Sequence, residues 1–180
     1  MSDRKIIGFT NKRCKDAISM SDDQGFQPTR HVSEVIPAEM KSKSNETHAL
    51  QLIFTECNHD KEWMLDGIKL IQKEIDVKRR GYLAQDKKKG IDGDELITKD
   101  EIVAKLLASK LKCSYCREDV VILFCEVRQK NQWTLDRIDN DLGHTNDNTV
   151  ICCLKCNLSR RRQGYNRFKL SKCLFVKQSD

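Results

Sequence analysis

Two cysteine pairs carry the clearest chemistry in this 180-residue chain: Cys113-Ser114-Tyr115-Cys116 and Cys153-Leu154-Lys155-Cys156. A two-residue gap lets both thiolates of a pair face one side of a tight turn. Two such turns complete a four-sulfur site without an open position, the set that suits structural Zn²⁺. Cys152 adjoins the second pair, but only Cys153 has the right spacing to Cys156. A redox pair would call for a thioredoxin-like βαβ pattern, which the surrounding residues do not show. Nine cysteines is an odd number, Cys14, Cys57 and Cys173 are scattered, and the first residues have no apolar signal core. A disulfide scaffold is therefore not expected, since thiols stay reduced inside cells.

Thirty-six residues separate Cys116 from Cys153. That is about twice the interval of simple four-cysteine zinc sites, so something folds between the pairs. The insert is dense in groups able to do chemistry: Asp136, Arg137, Asp139, Asn140, His144 and Asn148, with Asn157 directly after the last cysteine. Each has an ordinary reading as well. Asp136 and Arg137 could be a surface ion pair, Asp139, Asn140 and Asn148 turn formers, and Asn157 a helix N-cap.

The order of these residues resembles the HNH nucleases of the ββα-metal (His-Me finger) superfamily. It is most similar to zinc-bearing members such as the recombination endonuclease VII type and to HNH proteins of large DNA viruses. The likeness covers residues 113–168, about a third of the chain. It implies a β-hairpin and a following helix holding one divalent cation, Mg²⁺ or Mn²⁺, between Asp136 and Asn157, with zinc as scaffold. It also implies that Asn148 braces the loop through hydrogen bonds to backbone. The residue types suit the task, because Mg²⁺ prefers hard oxygen ligands and keeps several waters. Such a cation would stabilise charge on a scissile phosphate and its departing 3′ oxygen.

One position departs from the pattern. Arg137 stands where the family usually has its general base, a histidine, and a guanidinium accepts no proton near neutral pH. Either His144, in the same loop, takes that role, or the site is inactive. Arg137 would then hold phosphate.

Beyond the last cysteine the chain turns basic. Eight Lys or Arg and no acid lie between Lys155 and Lys177, among them Arg160, Arg161, Arg162, Arg167 and Lys169. A one-signed block beside ordered structure is a polyphosphate surface or a solvated tail. Phosphate contacts supply affinity with little sequence information. Tyr165 and Phe168 are core residues or base-stacking platforms.

The elements that must position these groups are legible in part. Met64, Ile68, Ile71 and Ile75 predict a helix over 61–80, ended by Gly81, with 85–90 a charged linker. Thr98 lies three residues before Glu101, the capping-box spacing, and opens a helix with Ile102, Val103, Leu106, Leu107 and Leu111 on its apolar stripe. Residues 120–124 read as a buried strand, 133–138 as a half-exposed strand, 139–143 as a turn and 149–152 as a returning strand. Asn157 onward reads as a polar helix. The first 60 residues are weakly periodic, punctuated by Pro28 and Pro37, with 41–45 a loop.

The longest apolar run has six residues, 120–125, where a spanning helix needs roughly twenty. Hydrophobic residues at 38%, charged residues at 33% and a net charge of +6 exclude a membrane protein and a fully disordered chain. The expected architecture is α+β, with an N-terminal, partly helical region over 1–97 and a zinc-supported HNH module with a basic C-terminal helix over 98–180. The expected function is a metal-dependent DNA endonuclease. Its alternatives are a catalytically degenerate DNA-binding or packaging module and, less in keeping with the basic block, a protein-interaction module. DNA is the expected partner, a homodimer is possible, and the expected setting is intracellular, with nucleus, cytoplasm and viral factory all compatible.

Overall fold

The computed structural model describes residues 36–91, 95–126 and 128–177. Pro28, Cys14 and the rest of 1–35 lie outside the described residues. The architecture is α+β, helices first and then a β-hairpin followed by a helix beside a four-cysteine cluster. After a short 3-10 turn at Ala38–Lys41 come α1 (Lys43–Thr55), α2 (Glu62–Lys88) and α3 (Lys99–Ala108). The strands β1 (Trp133–Arg137) and β2 (Thr149–Cys153) follow, then α4 (Leu154–Arg160) and α5 (Tyr165–Lys177). Among the described residues no helix is long and apolar enough to cross a membrane.

Residues 41–45, expected as a loop, instead open α1. Ser42 is its N-cap, and the hydroxyl accepts from the Asn45 amide at 3.2 Å. Ser42 of that polar stretch satisfies an orphan amide rather than breaking structure. The α2 helix also differs from expectation. It runs through Gly81 and through the presumed linker to Lys88. An exposed glycine in mid-helix costs only about 1 kcal/mol, and the buried face Met64, Ile71, Ile75, Tyr82, Asp86 continues past it at helical spacing. The capping box at Thr98 and Glu101 forms as expected. Leu111, expected on the α3 stripe, lies beyond the helix end and is fully buried in left-handed backbone (φ 51°).

One buried cluster runs from Met40 through α2 and α3 to Trp133, Ile151 and Phe168, so the helices before residue 97 share a core with the hairpin. The hairpin is antiparallel, Trp133 opposite Cys153 and Arg137 opposite Thr149. Its first strand is buried on both faces rather than half exposed. Two five-residue strands are marginal alone, and side chains supply what a third strand would. The Leu135 amide donates to Tyr82 Oη at 2.9 Å, and the Leu135 carbonyl accepts from Asn157 Nδ2 at 3.2 Å.

The strand expected at 120–124 does not form. Val120, Ile122 and Phe124 are buried as their apolarity demands, but only Val121 makes a bridge, to Gln132. Glu46, from α1, takes the place of a partner strand. Its carboxylate accepts from the Ile122 amide at 3.0 and 3.2 Å and from the Leu123 amide at 2.8 Å.

Burial pushes the Glu46 carboxyl from its ordinary 4.5 up to about 7, against the lowering by the two amides. The folded protein therefore holds this proton more tightly than the unfolded chain. The contribution is complete below pH 4.5 and is lost as pH rises through 7. Relative to Glu46→Gln, the wild type is expected to lose on the order of 3 kcal/mol over that window, read from denaturant unfolding at a series of pH values. Glu46→Ala, which orphans the same two amides, should cost about 2–4 kcal/mol below pH 4.5 and less as pH rises through 7.

Candidate functional site

The two cysteine turns meet as their spacing requires. The Sγ atoms of Cys113, Cys116, Cys153 and Cys156 all lie within 4.8 Å of one another, three of these residues buried and Cys116 half-buried. Cys116 and Cys153 are 3.9 Å apart. With Zn–S bonds of about 2.3 Å, the corners of a tetrahedron are roughly 3.8 Å apart, so the cluster has the dimensions of a zinc site. Each turn also directs a backbone amide at its first sulfur: Tyr115 N to Cys113 Sγ and Cys156 N to Cys153 Sγ, both 3.4 Å. Ser114 N donates to the Ile151 carbonyl at 2.9 Å, which ties the first turn to β2. Cys152 is buried and pairs instead with Thr134 Oγ1 at 3.2 Å. Burial pushes its thiol well up, the state of an inert core thiol.

Asn148 braces the hairpin loop. Its Nδ2 donates to the carbonyls of Asp139 and Gly143, both at 2.9 Å, and its Oδ1 accepts from the Asp139 amide at 2.9 Å. Asn157 is not an N-cap, since Cys153 holds that position and Asn157 sits within the first turn of α4. Its Nδ2 donates to Thr134 Oγ1 and the Leu135 carbonyl, which leaves Oδ1 as an acceptor.

The expected cation ligand Asp136 is occupied by protein. Oδ2 accepts from Tyr115 Oη at 2.5 Å and from Arg160 Nε at 2.6 Å, and Oδ1 accepts from Arg160 Nη2 at 3.3 Å. A buried guanidinium already neutralises this carboxylate, so the arrangement does not fit a divalent cation between Asp136 and Asn157. Among the described residues, the four cysteines are the one group of three or more Cys, His, Asp or Glu able to hold a metal. Arg160 was expected on the DNA surface, and it is fully buried. Helical spacing turns it inward, while its neighbours Arg161, Arg162 and Arg167 are exposed, as is Lys169. Phe168 is core, packed edge-on against Tyr115 at 4.9 Å, with Tyr165 tilted beside it.

His144 is buried with a partner that the sequence did not suggest. Its Nδ1 lies 2.7 Å from Asp86 Oδ1, and its backbone amide donates to Asp86 Oδ2 at 2.8 Å. A carboxylate only accepts, so Nδ1 carries the proton and Nε2 the lone pair. Burial holds the imidazole below its ordinary range, against the raising by Asp86. Tyr82 stacks on the ring at 4.6 Å. Arg137 reaches the same acid, Nη1 to Asp86 Oδ1 at 3.6 Å, and also donates to the Leu142 carbonyl. A Cβ at Gly143 would come within 3.0 Å of Ile91 and 3.4 Å of Asp86, so the absent side chain lets α2 approach this loop. Asp86 lies inside the expected 85–90 linker and Tyr82 just past the expected helix end at Gly81, and neither was singled out from the sequence. Their signal was the apolar period of α2 continuing beyond Gly81.

Between the hairpin loop and the end of α4 lies an open cleft of about 1240 Å³. Lys89, Arg137, Arg160, Arg161, Arg162 and Arg167 line it against two acids, Asp139 and Asp141. Arg137 and Arg160 are paired with Asp86 and Asp136, so the outward positive charge comes from Lys89, Arg161, Arg162 and Arg167, a sign that attracts polyanions. Comparisons with known protein families, with curated proteins and with solved structures give no match.

Purified protein is expected to carry one zinc per chain by elemental analysis. Chelation, or Cys116→Ser, should release it and lower the melting temperature by roughly 10 °C or more, with loss of order across residues 113–168.

Proposed function

We propose that the chain is a DNA-binding protein built on an HNH-like ββα module clamped by structural Zn²⁺, with the basic cleft as its DNA-backbone site. The observation that carries this reading is the cleft itself, lined by six basic side chains beside the hairpin loop. Arg161, Arg162 and Arg167 are exposed there and present forked donors that match phosphate oxygens. Nothing in such contacts reads bases, so the binding is to backbone, salt-sensitive and tolerant of sequence. The HNH likeness in residue order supports DNA as the polyanion.

The test is fluorescence anisotropy on a labelled duplex over a range of salt. Exchanging Arg161, Arg162 and Arg167 together for Gln should weaken binding by 10-fold or more (on the order of ~1 kcal/mol per lost contact) and reduce the salt slope by about 2–3. Unchanged affinity and slope would remove the cleft from the interface.

A second reading, hydrolysis of the DNA phosphodiester, is favoured by the Asp86–His144 pair. The carboxylate orients the ring, and burial keeps the imidazole in its proton-accepting form. His144, buried beside a neighbouring cavity, would take a proton from the water attacking phosphorus as the P–O3′ bond breaks and the leaving oxygen takes a proton from solvent. Arg137, bound to the same acid, would face the charge that develops on phosphate. Plasmid nicking measures this. On this reading His144→Ala should lower the rate 100-fold or more (roughly the contribution of a positioned base) with DNA affinity retained. Absence of nicking by wild-type protein in the presence of Mg²⁺ or Mn²⁺ leaves the binding function alone.

A further inference from the structure

Arg160 is surrounded as a metal ion would be. Its Nε and Nη2 donate to both oxygens of Asp136, Nη2 also donates to the Arg137 carbonyl and to Asn140 Oδ1 at 3.1 Å, and Nη1 donates to the Gln163 carbonyl at 2.5 Å. Five oxygens from β1, the hairpin turn and the end of α4 converge on one charge that is fully buried. All-oxygen shells of that kind serve hard cations. Here the charge is covalently part of the helix and cannot be removed by pH, because a guanidinium stays protonated.

The local backbone is shaped to hold it. Directly after Arg160 the helix stops at Arg161, which takes φ 51° and ψ −114°, a strained conformation for a residue with a side chain. That reversal brings Gln163 and its carbonyl back to the guanidinium. Tyr115, from the first cysteine turn, satisfies Asp136 from the other side. The carboxylate is thus enclosed by one cation, one hydroxyl and the strand that carries it.

We propose that Arg160 is a resident organic cation that takes the place of a divalent metal against Asp136, so that the cleft engages phosphate without any divalent cation. This rests on the DNA-binding reading only for its second half. The first half concerns the protein alone and is measured without DNA. Arg160 acts as a positioning residue: it fixes β1 to α4 and leaves Arg161, Arg162 and Arg167 to meet the ligand. A point-charge substitute would serve poorly, because one ammonium nitrogen has three donors where the guanidinium has five.

The experiment is Mn²⁺ titration of the full-length, zinc-loaded protein, followed by water-proton relaxation and electron paramagnetic resonance. Wild-type protein is expected to show no stoichiometric Mn²⁺ site up to millimolar concentration. Its duplex affinity should be the same in Mg²⁺ as in a divalent-free buffer of matched ionic strength that leaves zinc bound. Arg160→Ala, which uncovers the Asp136 carboxylate and the surrounding carbonyls, should gain one Mn²⁺ site. Its lowered melting temperature should be partly restored by Mn²⁺ or by methylguanidinium. A stoichiometric Mn²⁺ site in wild-type protein that Asp136→Asn abolishes would overturn the proposal, and that result requires no folded Arg160 variant. So would an Arg160→Ala protein that keeps its zinc and its fold yet gains neither Mn²⁺ binding nor rescue by methylguanidinium. Loss of DNA binding in every condition, with the Mn²⁺ results as expected, would instead fault the DNA reading.

Discussion

A hairpin of two five-residue strands cannot hold itself together in water, and that constraint organises this protein. Everything around β1 and β2 supplies an anchorage that a larger sheet would provide by itself. The cysteine cluster joins the turn before the hairpin to the start of the helix after it. Tyr82 and Asn157 satisfy the free edge of β1, while Lys78 Nζ donates to the Trp133 carbonyl. The geometry of the hairpin is therefore imposed from outside, which makes it a stiff support for the loop and cleft beside it.

Three buried carboxylates share this work, each satisfied differently. Among the described residues Glu46 meets backbone amides and no cation, so its charge is poorly compensated and its proton is held tightly. Asp86 meets an imidazole, an amide and a guanidinium, and so joins α2 to the loop that carries His144. Asp136 meets a bidentate arginine and a tyrosine. Removing one partner of such a pair leaves a buried, uncompensated charge, which costs far more than the pair contributes. Glu46 and Asp86 consequently tie the helices before residue 97 to the segments that follow, while Asp136 ties β1 to α4 and to the first cysteine turn, and the shared hydrophobic core is consistent with that dependence.

What the sequence disclosed was local. The two cysteine pairs and the capping box at Thr98 are visible because their partners lie within a few residues, or because spacing alone defines their geometry, whereas the brace at Asn148 was implied by the HNH resemblance. The hairpin strands follow from alternation and turn residues. The unseen contacts span long separations: Asp86 to His144 across 58 residues, Glu46 to the 122–123 amides across 76 and 77. A carboxylate that replaces a partner strand leaves no periodic mark. Residues 120–124 accordingly read as a strand from their apolarity, although a side chain satisfies two of their amides. Gly81 misled for a related reason: a local helix breaker was outweighed by the burial of Tyr82 and Asp86 farther along the same face. Arg160 was grouped with its neighbours because charge is counted along a chain, while its direction is set by a 100° turn per residue.

The same separation of inward and outward arginines bears on how the cleft binds. Arg137 and Arg160 are already committed to Asp86 and Asp136, so they contribute little net charge to a ligand. The attraction comes from Arg161, Arg162, Arg167 and Lys89, and Lys89 already donates to the Asn140 carbonyl. On the proposed DNA reading, three or four phosphate contacts on an exposed surface would give weak affinity at physiological salt, because each released counterion steepens the salt dependence. Ile138, 37% exposed, lines the cleft with these cations. On the proposed DNA reading, the outward cations would hold the backbone while the paired arginines keep the shape of the cleft.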